Sequence, residues 1–170
     1  MKNNWKALLT FTAVVALVLL MGTSTFAANA TQTLTINATV AARAELTLAP
    51  TTISFADASP TTSPTIAANS TVAVTAKVRT AANSTATLVA ASSGNLTSGS
   101  DTIPINAVSW TASGVPFIAG TLNAVTAQSA ATFASGSGSY NGTYTFTLAN
   151  SWSYNVGSYA ATVTYTLTAP

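Results

Sequence analysis

Threonine alternates with apolar residues along much of this chain. Leu34, Ile36, Ala38 and Val40 share one parity, and Thr33, Thr35, Asn37 and Thr39 share the other. The same pattern returns at Val72, Val74, Ala76 and Val78, at Tyr144, Phe146 and Leu148, and at Tyr159, Ala161, Val163, Tyr165 and Leu167. Successive side chains on a strand point to opposite faces, so each run predicts a half-buried strand.

Turn residues divide the runs. The pattern predicts strands over 33–48, 52–55, 71–80, 83–90, 101–110, 125–133, 140–148 and 158–167. The first is interrupted near 41–44 and ended by Pro50. Pro60 and Pro64 mark 57–69 as a loop, and Gly136 and Gly138 mark 135–139 as a turn. The parity changes between Ile105 and Val108, which predicts a bulge or a break, and Pro104 places its strand at an edge. Trp110 falls on the apolar parity and is expected in the core. Seven to nine short strands at this spacing predict an all-β fold: one Ig-like/Greek-key antiparallel β-sandwich.

The first thirty residues follow another rule. Lys2 and Lys6 precede the apolar stretch from Ala7 to Gly22, and small residues fill Thr23 to Ala30. That order predicts a secretory signal peptide over 1–30, cleaved after Ala30 or, as a second choice, after Ala27; the alternative is an uncleaved anchor, for which the apolar run is short. The expected mature chain is a single domain over 31–170, without a membrane span once the signal is removed. It is exported to the extracellular space, the cell surface or a periplasm.

Cleavage changes the charge. The full chain has a pI of about 9.2, but residues 31–170 keep Arg43, Lys77 and Arg79 against Glu45, Asp57 and Asp101. These cancel, so no nucleic-acid partner is expected. So few charges leave threonine, serine and asparagine to hydrate the surface, and give little repulsion between copies.

Catalysis lacks its usual groups. The chain has no histidine and no cysteine, which removes the commonest general base, the thiol nucleophile and the usual zinc ligands. Asp57 and Asp101 read as turn residues, because calcium takes six to eight oxygen ligands. No catalytic residue, cofactor or metal is expected.

Two segments are binding candidates. Asn150, Trp152, Tyr154 and Asn155 lie within six residues. Rings stack on the apolar faces of sugars while amides bond to hydroxyls, which suits a carbohydrate or a wall polysaccharide. Trp152 and Tyr154 also continue the parity of Tyr144, Phe146 and Leu148, so they can instead cap the core. The second candidate is the apolar set Leu34, Ile36, Ala38 and Val40, which suits strand exchange with another copy or another envelope protein. The same strand can equally pair within its own chain.

The last strand carries a resemblance. The run from Gly157 through Tyr159 to Leu167 resembles the closing strand of bacterial surface sandwiches, namely spore-coat-U and fimbrial-type subunits and the wall-binding WxL modules. Tyr165-Thr166-Leu167 stands where a WxL module carries its tryptophan, and the cysteines common in spore-coat-U modules are absent. The resemblance implies an envelope or fimbrial-like surface module, and the Thr33 to Val40 strand adds the expectation of a structural or matrix subunit associating through sheet edges. The alternative is a wall- or carbohydrate-binding module using the Trp152 loop.

Overall fold

The computed structural model describes residues 29–134 and 137–170. The signal peptide expected over 1–30 falls almost wholly outside the described residues, as do Ser135 and Gly136 of the turn expected at 135–139. By compactness the chain divides into residues 1–38 and residues 39–170.

Residues 29–38, taken alone, contain no strand. The strand expected from Thr33 begins instead at Arg43, and Leu34, Ile36 and Val40 are 85%, 83% and 70% exposed. Alternation fixes which side chains share a face, but a strand also needs a neighbour to receive its N–H and C=O groups. Within the described residues Thr33 to Val40 has none.

Residues 39–170 form an all-β sandwich. Its strands are β1 (Arg43–Ala49), β2 (Thr65–Ala67), β3 (Val72–Arg79), β4 (Ala86–Ser92), β5 (Leu96–Ser98), β6 (Asp101–Ile103), β7 (Val108–Ser113), β8 (Gly120–Thr121), β9 (Gln128–Phe133), β10 (Gly138–Ala149) and β11 (Val163–Thr168). One sheet runs β1-β3-β10-β7-β8, with β2 beside the far end of β10. The second runs β11-β4-β9, and β5 with β6 forms a separate hairpin. All the strand pairs are antiparallel. Strands distant in sequence lie side by side, β3 with β10 and β10 with β7, as Greek-key links require and an up-and-down meander does not.

The alternation predicts the core faces of the central strands. Val72, Val74, Ala76 and Val78 of β3 are buried, as are Ala86, Leu88 and Ala90 of β4 and Tyr144, Phe146 and Leu148 of β10. Trp110 of β7 is 2% exposed, and its indole N–H donates to the Ile118 carbonyl at 2.9 Å. Tyr144 is the hub. Its ring meets Trp110, Phe117, Phe146 and Tyr165 at centroid distances of 6.2, 5.9, 6.4 and 5.9 Å. Its hydroxyl donates to the Ala130 carbonyl of β9 at 2.9 Å, which ties one sheet to the other. Glycine permits the close packing around it: a Cβ on Gly142 would stand 2.3 Å from the Phe117 ring and 2.6 Å from the Ser113 carbonyl oxygen.

Several strand boundaries differ from expectation. Of the bulge or break expected within 101–110, the structure has the break: β6 and β7 are separated by a 3-10 turn at Ile105–Ala107. Pro104 lacks the N–H to continue a ladder, and the turn absorbs the parity change. Residues 52–55 form no strand, only a bridge from Phe55 to Ala68. The loop expected over 57–69 contains β2, which takes up the end of β10 left free by β3. The strand expected from Val125 begins at Gln128, because the Asn123 side chain caps the Val125 and Thr126 N–H groups in a turn. The last strand begins at Val163 rather than at Ser158.

Candidate functional site

The aromatic loop does not assemble as one platform. Asn150 closes the loop onto the body: its side-chain N–H groups donate to the Ala58 and Ser63 carbonyls at 2.9 and 3.1 Å. Asn155 donates to Asp101 at 2.8 Å, and its own carbonyl receives the Tyr159 hydroxyl. Desolvation, and then the nearby Asp101 carboxylate, raise the Tyr159 pKa above the ordinary tyrosine value. Tyr154 is half-buried against the core. Trp152 alone presents its ring, 75% exposed, with its N–H directed to the Thr61 hydroxyl at 3.2 Å. Of the four expected sugar contacts, both amides are engaged in holding the fold.

A hollow of about 200 Å³ is lined by Asn95, Pro104, Ile105, Asn106, Asn123 and Ala124. Small-molecule sites usually enclose about 300–1,000 Å³. Asn95 and Asn123 already accept backbone N–H groups there. Among the described residues no three His, Cys, Asp or Glu side chains lie together as a metal site. Lys77 approaches Glu45 at 3.7 Å, and Arg43 approaches it at 3.3 Å. All three side chains are more than half exposed, so these pairs add little stability.

The sheet edges are more informative. The β9 edge is covered: Phe117 bridges to Ala131, and the Ile118 N–H donates to the Ala130 carbonyl at 2.9 Å. At the opposite side stand β1, paired only with β3, and β11, paired only with β4. The inward residues there are half-buried, namely Leu46 and Leu48 of β1 and Val163, Tyr165 and Leu167 of β11. Every fully buried strand residue belongs to β3, β4, β6, β7, β9 or β10. Tyr165 stacks on Tyr144 at an interplanar angle of 17°, and its buried hydroxyl has no hydrogen-bond partner among the described residues. Burial raises the pKa of both phenols, with the neighbouring Tyr165 adding to the rise at Tyr144.

The β1 and β11 edges differ in charge. β1 and β3 carry Arg43, Glu45, Lys77 and Arg79, whereas β11, β4 and β9 carry no charged residue. The Arg79 guanidinium donates to the Ala41 carbonyl at 2.8 Å, just upstream of β1. Sequence reasoning singled out the apolar set Leu34, Ile36, Ala38 and Val40 but not the contrast in charge between these edges. Its one sequence signal is the absence of charge from Tyr140 to Pro170.

No protein-family model matches the chain, and no curated protein matches it. Among the described residues no helix is long and apolar enough to cross a membrane.

Proposed function

We propose that the chain is a non-catalytic structural β-sandwich protein of the cell surface or a secreted matrix, and that copies join through their sheet edges. One observation carries this reading: an alternating apolar segment, Leu34 to Val40, is left exposed in a chain in which β1 and β11 each pair on one side only among the described residues. Backbone hydrogen bonds along an edge, with alternate side chains entering apolar seats, suffice to join proteins. A nearly uncharged exterior does not oppose it. The likeness of Gly157 to Leu167 to closing strands of envelope and fimbrial-type subunits agrees with this assignment, and export through a signal peptide would deliver the chain there.

Light scattering and electron microscopy of residues 31–170 test it. The expected result is multimers or filaments that dissociate on dilution or in mild denaturant, whereas a monodisperse monomer at all concentrations overturns the reading. A second reading, binding to wall polysaccharide, rests on the exposed ring of Trp152. Trp152→Ala in the same preparation separates the two: assembly should persist, and any retention on purified wall polysaccharide should fall only if the ring is a sugar contact.

A further inference from the structure

We infer that the charged end of the β1–β3 face is an oxyanion site, and that it takes a phosphate monoester group between Arg43 and Arg79.

Register builds the site. β1 and β3 pair so that Arg43 lies opposite Arg79 and Glu45 lies opposite Lys77. Alternation puts all four on the outward side, because Val74, Ala76 and Val78 take the inward one. Residues 39–170 contain three cations in all, and the three stand in these two neighbouring rows. Like charges directly opposite one another destabilise a sheet. Arg43 opposite Arg79 carries that cost, and an anion seated between them turns the repulsion into attraction.

The two guanidiniums are held in place. The Arg79 Nε–H donates to the Ala41 carbonyl at 2.8 Å, and the Arg43 Nε stands 3.3 Å from a Glu45 carboxylate oxygen. Each arginine is thus tethered through its inner nitrogen, which leaves its terminal NH2 groups for a ligand. Among the described residues no carboxylate pairs with Arg79. A hollow of about 140 Å³ lies here, lined by Arg43, Glu45, Lys77, Val78 and Arg79. It is smaller than the usual small-molecule site of about 300–1,000 Å³ and suits a single oxyanion group. Guanidinium forks match the paired oxygens of phosphate.

Charge selects the ligand. Three cations less Glu45 leave a net charge of +2 around the hollow. A phosphate monoester carries about −1.5 to −2 at neutral pH, whereas a carboxylate or a phosphodiester carries a single charge. Nothing close by cancels the excess. Asp57 and Asp101 belong to the other end of the sandwich, where Asn150 bonds to the Ala58 carbonyl and Asn155 to Asp101. β10 runs between the two ends, from Gly138 beside Val78 to Ala149 beside Thr65. That length of strand spans roughly 35 Å, which is several Debye lengths in physiological salt.

Nitrogen-15 NMR of the protein titrated with methyl phosphate tests the site, with sodium chloride at matched ionic strength as the reference. The expected result is a set of saturable shifts confined to residues 41–47 and 76–80. Arg79→Gln should weaken binding roughly tenfold, through loss of a charge-assisted hydrogen bond. Glu45→Gln should tighten it roughly threefold by removing the carboxylate that lines the hollow. Dimethyl phosphate, with one charge fewer, should bind roughly fivefold more weakly. Arg43, Glu45, Lys77 and Arg79 are exposed, so the urea midpoints of the variants should stay near that of the parent. Shifts that never saturate, or that sodium chloride reproduces, would overturn the site. So would an Arg79→Gln protein that binds as the parent does. Equal binding of methyl and dimethyl phosphate would overturn the assignment to monoesters.

Discussion

Tyr144→Ala should lose about 3–5 kcal/mol, the usual cost of deleting a buried aromatic ring. Tyr144 is 0% exposed and touches four other aromatic rings drawn from both sheets and the Phe117 loop. The cavity has little means of closing, because β3, β7 and β10 are held by ladders on both sides. A domain of this size has a total stability of about 5–15 kcal/mol, so the loss is a large fraction of it. Tyr144→Phe keeps the ring and removes only the hydroxyl. The Ala130 carbonyl still receives the Ile118 N–H, so no acceptor is stranded and the cost should be about 0.5–1.5 kcal/mol. Urea melts of the two variants against the parent check the order. A Tyr144→Ala protein as stable as Tyr144→Phe would show that the aromatic hub does not hold the sheets together.

Deleting residues 31–40 should abolish multimers and leave a folded monomer. The removed residues contain no strand, and their large apolar side chains are exposed. The buried set of residues 39–170 begins at Val72. The expected outcome is an unchanged far-ultraviolet circular dichroism spectrum and urea midpoint, together with a single monomeric peak in size-exclusion chromatography. Unchanged assembly after the deletion would mean that copies meet through another surface, and a collapsed urea midpoint would mean that the segment serves its own fold.

The contrast between these two experiments follows what a sequence can display. The faces of β3, β4 and β10 were legible because a period of two, repeated over four or more positions, has one solution when a single side is buried. Pairing was less legible. Nothing in Thr33 to Val40 distinguishes a strand with a neighbour from one without, and nothing in Thr65 to Ala67 says that the end of β10 lies open beside it. The aromatic loop shows a second limit. Asn150 and Asn155 have the composition of a sugar site, but their partners are Ala58, Ser63 and Asp101, 54 to 92 residues away in the chain. Residue type advertises hydrogen-bonding capacity, and only the tertiary fold decides where it is spent.

Hydrogen–deuterium exchange of assembled protein, followed by mass spectrometry, tests the central claim most directly. If Thr33 to Val40 becomes a strand on a sheet edge of a neighbour, peptides covering 33–40 should slow by ~100-fold or more on assembly. Exchange of 33–40 at the rate of an open chain within intact multimers would contradict it.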